Sequence, residues 1–232
     1  MSVKLVIITV TATLVMGFLL FQISKSRTFQ FFGKISARVN TKQKAVALTF
    51  DDAPSPYVKE VLAILKEKQI KATFYEIGKG IEQYPLEAKA IVDSGMEVGN
   101  HSYSHERMVL KSPSFIDSEI QKTNGLIKSS GYMGEITFRP PNGKKLFILP
   151  WYLKQHNIKT IMWDVEPDTY VSGDSNEIIK YTLDTVQPGS IILIHPLCDK
   201  ECTSDREALP KIIDGLKLKG YRFVTVSDLL KY

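Results

Sequence analysis

Short apolar runs and segments with helical apolar spacing alternate along the chain from about residue 45 to its end. The short runs are rich in β-branched and aromatic residues, which is typical of strands buried on both faces. The predicted strands are Val46–Phe50, Ala72–Ile77, Glu97–Gly99, Ile136–Arg139, Thr160–Trp163, Ser190–Ile194 and Arg222–Val226. The predicted helices are Pro56–Lys68, Pro85–Ser94, Ser114–Ser130, Lys145–Asn157, Asn176–Val186 and Arg206–Lys219.

Strands that alternate with helices of this length indicate an α/β fold with parallel strands. About seven such units are too many for a small open sheet and slightly few for a complete eight-fold barrel. Both architectures place functional residues at the carboxyl ends of the strands. Polar residues at those ends are therefore the first candidates for a site.

A longer apolar stretch precedes this pattern. Leu5 to Ile23 contains no charged residue and is long enough to cross a bilayer as a helix. We predict an uncleaved signal anchor over residues 1–24; a cleaved signal peptide is the alternative, although Ser24 and Ser26 match a cleavage site only weakly. Residues 25–43 are predicted to be a basic linker outside the fold, and residues 44–232 the functional domain.

The charges bear on partners and on orientation. Residues 1–40 hold five basic and no acidic side chains, which accounts for the whole net charge of +5, so the remaining chain is neutral and nucleic-acid binding is not expected. Basic residues after the span favour the cytoplasmic side, but long domains are translocated largely regardless of such charges. We predict a membrane-anchored domain outside the cytoplasm, and the conflict with the flanking charges stays open.

Two adjacent carboxylates end the first predicted strand of the domain. Asp51 and Asp52 follow the buried run Val46–Phe50, and desolvating unpaired carboxylates costs several kcal/mol. Their position is explained if one carboxylate binds a cation and the other takes part in chemistry beside that cation. In the alternative interpretation Asp52 caps the helix that follows.

A pair of histidines follows the third predicted strand. His101 and His105 are four residues apart, a spacing that puts both on one face of a helical turn and suits a single metal ion. With Asp52 they supply three protein ligands and leave a position open for water, as in catalytic zinc sites. The sequence therefore predicts Zn²⁺, or another divalent transition metal, held by Asp52, His101 and His105.

Three later strands also end in polar residues. Arg139 precedes two prolines, the segment Trp163–Tyr170 carries three acids and two aromatic residues, and His195 ends a very apolar run. A histidine in that position is either buried with a hydrogen-bond partner or a general acid or base. Beyond it, Cys198 and Cys202 form a disulfide in an oxidising compartment or remain free thiols.

Taken together, these stretches resemble the NodB-homology polysaccharide deacetylases, carbohydrate esterase family 4. The matching segments run in the family's order: Thr49-Phe50-Asp51-Asp52, His101-Ser102-Tyr103-Ser104-His105, Arg139-Pro140-Pro141-Asn142-Gly143, Trp163–Tyr170 and Leu193-Ile194-His195. The resemblance implies a distorted, incomplete (β/α) barrel. It also implies metal-dependent removal of N-acetyl groups from an N-acetylglucosamine-containing polysaccharide, such as peptidoglycan or a chitin-like oligosaccharide.

The resemblance also implies a role for each residue. Asp51 would be the general base, Arg139 would orient it, and His195 would protonate the departing amine. Asp168 would tune His195, Leu193 would line the acetyl pocket, the backbone N–H of Asn142 would stabilise the oxyanion, and Tyr170 would contact the sugar. The metal would be held by the ligands named above.

Three departures from the family pattern occur: Ala53 replaces a glycine, Asn142 an aromatic residue, and Thr169-Tyr170 a tryptophan. None of these removes a ligand or a proton-transfer residue. Two alternatives remain: a metal-dependent amidase acting on a small non-sugar amide, and a non-catalytic carbohydrate-binding protein on the same scaffold. The intact Asp51 and His195 oppose the second. No protein partner is predicted.

Overall fold

The computed structural model describes residues 2–171 and 173–232. It begins with helix α1 (Val3–Ser24), whose apolar side chains are exposed. With 22 residues and a mean hydropathy of 2.3, α1 is long and apolar enough to cross a membrane, a test that a signal sequence also passes.

In the described ranges, seven parallel strands form the centre of the molecule. Strand β2 pairs with β3 on one side and with β6 and β7 on the other, while β4 follows β3 and β1 pairs with β5. The strands are β1 (Ile35–Ser36), β2 (Ala45–Ala53), β3 (Thr73–Glu76), β4 (Glu97–Asn100), β5 (Thr160–Ile161), β6 (Ile191–Ile194) and β7 (Arg222–Val224).

Single parallel bridges connect the two groups of strands. Phe138 bridges Asn100 on one side and Thr160 on the other, and Val165 bridges Ile192. These contacts join the strands into a distorted, incomplete barrel, which confirms the predicted α/β class. The predicted strand Ile136–Arg139 is reduced to isolated bridges at Phe138, whose neighbours Thr137 and Arg139 form backbone hydrogen bonds with Asn100.

Helices cover the outside of the barrel. They are α2 (Val58–Glu67), α3 (Gly78–Gln83), α4 (Pro85–Asp93), α5 (Pro113–Ser129), α6 (Ile148–Gln155), α7 (Pro167–Tyr170), α8 (Ser175–Thr185), α9 (Thr203–Leu218) and α10 (Val226–Leu229). Strand β2 shows how the layers divide: Val46, Leu48 and Phe50 pack in the cluster shared with these helices, whereas Ala45 and Ala47 belong to a second cluster inside the barrel.

The segment between α1 and β2 belongs to the fold, which corrects the expectation of a solvated linker over residues 25–43. Strand β1 pairs with β5, Ala37 is buried, and the side-chain amide of Gln30 donates to Thr160 Oγ1 at 3.2 Å. The linker prediction failed because charged and polar residues dominate this stretch, while its burial depends on partners more than 100 residues away.

Candidate active site

Asp51 lies inside the barrel because of the strand alternation in β2. Thr49 and Asp51 continue the inward face begun by Ala45 and Ala47, and Asp51 is only 3% exposed. There Arg139 Nη1 donates to Asp51 Oδ1 at 2.7 Å and to Thr49 Oγ1 at 2.8 Å. The predicted contact between Arg139 and Asp51 is therefore present.

Arg139 is fully buried and held in one orientation. Its Nη2 donates to the carbonyl of Met162 at 3.2 Å, and its guanidinium lies 4.1 Å from the ring centre of Tyr75. Burial alone would raise the pKa of Asp51, but the charge and hydrogen bond of Arg139, together with the charges of His101 and His195, outweigh burial and the pKa is lowered. Asp51 is therefore an ionised, buried carboxylate, as a general base must be.

Side chains alternate along a strand, so Asp52 would point away from the barrel interior and face the helices if β2 were regular here. Instead the β2–β3 register shifts between Phe50 and Ala53, and Asp52 adopts a left-handed backbone with φ of 61°. This local conformation brings Asp52 Oδ1 to 3.3 Å from His105 Nε2 and 3.7 Å from His101 Nε2. The alternative role as a helix cap is wrong, since α2 begins at Val58 with Tyr57 at its N-cap.

The two histidines meet by a different geometry from the one the spacing predicts. Residues 101–105 form an irregular turn rather than a helical one, with left-handed backbone at Ser102 (φ 69°) and His105 (φ 60°). The buried Glu119 of α5 stabilises the turn, because its Oε2 accepts the backbone N–H groups of Tyr103 at 3.0 Å and Ser104 at 2.8 Å. Glu119 carries no motif signal, so sequence reasoning missed it.

The arrangement of Asp52, His101 and His105 fits a metal ion. Their potential ligand atoms lie within 4.8 Å of one another, and two imidazoles with one carboxylate suit zinc. His101 Nδ1 lies 2.8 Å from the carbonyl of Arg139, an acceptor that leaves Nε2 unprotonated on the side of the two aspartates. Burial and the neighbouring His101 lower the pKa of His105, which favours the neutral form that ligates metals.

His195 and Asp168 form a second pair in the same cleft. Asp168 Oδ2 accepts from His195 Nδ1 at 2.7 Å and from its backbone N–H at 2.8 Å. Burial opposes a charged imidazole, but the hydrogen bond and charge of Asp168 raise the pKa of His195 to about 9. The imidazole is therefore cationic at neutral pH and can donate a proton from Nε2.

The Asp51 carboxylate, the three candidate metal ligands and His195 line one open cleft of about 880 Å³. Leu193, which is 1% exposed, lies at its floor, while Asn142 and the 59% exposed Tyr170 lie in its walls. The backbone at Asn142 is left-handed with φ of 55°, in a short 3₁₀ turn that follows Pro140. Every site residue predicted from the sequence is therefore brought to this cleft or directly behind it.

Part of the cleft wall comes from the segment that follows α1. The Arg27 guanidinium forms an ion pair with Glu166, donates to the Tyr170 hydroxyl at 3.1 Å, and lies 4.6 Å from the ring centre of Trp163. Sequence reasoning missed Arg27, which no motif singles out. The Cys198–Cys202 disulfide is formed in the loop beyond His195.

With this geometry in hand, comparison with known proteins identifies the family. A family model described as polysaccharide deacetylase matches residues 38–161. The chain belongs to the polysaccharide deacetylase family. The predicted resemblance is thereby confirmed, as is the predicted class of enzyme, a hydrolase acting on polysaccharide amides.

Individual members of the polysaccharide deacetylase family are similar over most of the chain. A peptidoglycan-N-acetylglucosamine deacetylase of Bacillus cereus is 30% identical over 208 residues, which cover 86% of this chain and 94% of that protein. A solved peptidoglycan N-acetylglucosamine deacetylase, in complex with 4-naphthalen-1-yl-N-oxidanyl-benzamide, has a TM-score of 0.78 at 31% identity, over 83% of this chain and 91% of that chain. A CE4 family pseudoenzyme from Bacillus anthracis has a TM-score of 0.76 at 32% identity, over 84% and 68% of the two chains.

Proposed function

We propose that this polysaccharide deacetylase removes N-acetyl groups from N-acetylglucosamine-containing glycans of peptidoglycan, and that it depends on a divalent metal. The observation that carries the proposal is one cleft that holds the Asp51–Arg139 pair, the triad of Asp52 with two histidines, and the His195–Asp168 pair. The similar B. cereus protein is named as a peptidoglycan deacetylase, which supports this polymer over a chitin-like one.

The metal site would consist of Asp52, His101 and His105. A divalent ion bound there would polarise the acetamide carbonyl and acidify water. Ligation by two histidines and one carboxylate leaves coordination positions for substrate and water, as in other catalytic zinc sites.

The residues of the chain account for the proton transfers. Asp51, ionised beside Arg139, takes a proton from the attacking water as its oxygen bonds to the acetyl carbon. The backbone N–H of Asn142 donates to the oxygen that becomes negative. His195 then gives its Nε2 proton to the sugar nitrogen as the carbon–nitrogen bond breaks, and acetate and a free amine result.

Two side chains would set the fit of the reacting sugar. Leu193 lies on the cleft floor, where it would contact the acetyl methyl group, and Tyr170 presents an exposed ring at the rim for stacking against a sugar. Asn142 places a small polar side chain in the wall, where the family pattern has an aromatic residue, and so leaves the groove wider there.

The pseudoenzyme from B. anthracis shows that this fold occurs without activity, so the fold alone does not carry the proposal. In this chain the base with its Arg139 partner, the three ligands, and the acid with its Asp168 partner all lie in the cleft or directly behind it. A non-catalytic carbohydrate-binding protein has no need of a buried base and a separate cationic acid in one site.

We further propose that α1 remains attached as a membrane anchor with the domain outside the cytoplasm, where peptidoglycan lies. Ser24, Ser26 and Arg27 are packed against the domain, so cleavage at Ser24 or Ser26 would remove part of the cleft wall. Protease treatment of intact cells tests the orientation: digestion of the domain supports it, and full protection overturns it.

The activity is tested by acetate release from the full-length chain in detergent. Peptidoglycan, chitin oligomers and a panel of small N-acetyl amides serve as substrates, with added zinc or with chelator. Acetate from peptidoglycan that chelator abolishes and zinc restores supports the proposal, and Asp51→Asn should remove it. Acetate only from small amides would favour an amidase, and glycan binding without any acetate a carbohydrate-binding protein.

A further inference from the structure

Three lysines form a cationic corner at the membrane-proximal end of the cleft. The cationic corner comprises Lys25, Lys144 and Lys145. Lys25 and Lys144 line the cleft, and each places its Nζ 5.0 Å from the ring centre of Phe21, near the end of α1. Their two ammonium groups thus share one aromatic ring.

Hydrogen bonds to the main chain hold the corner together. The backbone N–H of Lys145 donates to the carbonyl of Ser24 at 2.9 Å, and Lys145 Nζ donates to the carbonyl of Ser26. The peptide that carries Lys25 is therefore fixed on both sides against the peptide that carries Lys144 and Lys145. The proximity of these like charges is built into the backbone rather than left to side-chain freedom.

Within the described part of the chain, the cationic corner has no counter-ion. Among the ion pairs of residues 2–171 and 173–232, none includes Lys25, Lys144 or Lys145. Lys145 is only 1% exposed, so a positive charge is buried there with no carboxylate beside it, an arrangement that is costly unless an anion supplies the missing charge. Burial lowers the pKa of Lys145 to about 8, and burial with the charge of Lys25 lowers that of Lys144.

The other charges of the cleft are already balanced. Asp51 pairs with Arg139, Glu166 pairs with Arg27, and Asp52 belongs to the metal triad. Lys25 and Lys144 are thus the cleft charges that remain for a ligand. Lys144 lies two residues after Asn142, so an anion bound there would be attached near the reacting sugar.

We propose that Lys25 and Lys144, backed by Lys145, form a subsite for a carboxylate carried by the glycan near the reacting N-acetyl group. The inference rests on the proposed function and narrows its substrate class to anionic amino-sugar glycans. Peptidoglycan carries such carboxylates on its stem peptides and, where the peptide is absent, on its lactyl ethers, whereas chitin carries none. The subsite therefore selects the acidic polymer.

The test uses the full-length chain in detergent and two peptidoglycan fragments. The fragments have the same length, either a disaccharide or a tetrasaccharide, and differ in one group. One fragment has a free lactyl carboxylate, and in the other that carboxylate is converted to its neutral methyl amide. Calorimetric binding to the chelator-treated chain is the main readout, so that affinity is measured without turnover, and acetate release with zinc is the second.

We expect the free-carboxylate fragment to bind about tenfold more tightly than the amide, and Lys25→Gln with Lys144→Gln to abolish that difference while affinity for the amide is unchanged. The conservative Lys25→Arg and Lys144→Arg pair should keep the preference. Lys211→Gln, on the exposed side of α9, is the matched control and should change neither affinity.

Equal binding of the two fragments by the unaltered chain would overturn the proposal. An equal loss of affinity for both fragments in the double variant would also overturn it. A vesicle arm separates the glycan from lipid: if the double variant loses affinity only for vesicles that contain anionic lipid, the corner is a headgroup site and the proposal is wrong. Absence of acetate release from every glycan would overturn the proposed function, whereas the binding comparison would still decide the subsite.

Discussion

At the scale of single residues, the site depends on a few backbone departures from regular structure. Asp51 follows the strand alternation, but Asp52 reaches the histidines only through its left-handed φ of 61°. The identities of these residues could be predicted, because adjacent acids and paired histidines at strand ends have a clear chemical signature. The turn geometry and the support from Glu119 could not, since both depend on contacts between segments distant in sequence.

Asp168 should control the alkaline limit of activity. Its hydrogen bond and charge raise the pKa of His195 to about 9, so the proposed proton donor stays charged up to that pH and we expect activity to fall above it. Asp168→Asn removes the charge and lowers the pKa of His195, so the alkaline limb of kcat against pH should move down by about 1 to 3 units. A uniform loss at every pH with no shift of the limb would assign Asp168 a purely structural role.

Arg139 should stabilise the fold as well as orient the base. Arg139→Gln leaves Asp51 buried without its cation, and we expect a loss of about 3 to 5 kcal/mol in the free energy of unfolding at neutral pH. Because pairing lowers the pKa of Asp51, its stabilising effect is present at neutral pH and is lost as pH falls through that lowered pKa. The difference between variant and unaltered chain should therefore shrink in acid.

Urea unfolding of the full chain at a series of pH values measures this difference. Arg107→Gln, at an exposed arginine, is the control and should change stability little at any pH. A constant difference across the whole acidic range would contradict the assignment of the loss to the ionised Asp51.

At the scale of elements, the alternation of strands and helices could be predicted because each apolar run is long enough to show its period. The predicted strand at 136–139 reduces to a bridge at Phe138, where Pro140 and Pro141 follow and provide no N–H groups for a ladder. Strand β1 has two residues and no apolar period of its own. Short or irregular elements of this kind are defined by their partners, so local pattern does not reveal them.

Arg27 should hold the segment after α1 against residues 163–171, which carry Asp168. Arg27→Gln would leave the buried Glu166 without its cation and remove the contact with the Tyr170 hydroxyl. We expect a stability loss of about 1 to 3 kcal/mol and faster amide hydrogen exchange across residues 163–171. Arg222→Gln, at an exposed arginine whose side-chain hydrogen bonds lie outside residues 163–171, is the matched control. Unchanged exchange in the Arg27 variant would show that the segment does not hold this loop.

At the scale of the whole molecule, the segment that follows α1 forms part of the cleft rather than a tether. Ser24 and Ser26 accept hydrogen bonds from Lys145, and Arg27 contacts residues of the opposite wall. The cleft is thereby held a few residues from the end of α1. With α1 as the proposed membrane anchor, the cleft would work on glycan that lies at the membrane surface, and a fragment that begins at residue 44 would lack one wall of its site.

Metal binding should stabilise the entire domain, since Asp52 at the end of β2 and the two histidines after β4 come from different parts of the barrel. A ligand that binds only the folded state stabilises it by mass action, by about 2.7 kcal/mol at 100 times its dissociation constant. For a chain of this size zinc should therefore raise the Tm by about 5 to 10 °C. Asp52→Ala and His105→Ala should remove this shift, whereas Asp168→Asn should keep it, because Asp168 contacts His195 and not the triad. Thermal unfolding of the full chain in detergent, with chelator and with zinc, measures the effect. A shift that survives in Asp52→Ala would place the metal elsewhere and contradict the proposed ligand set.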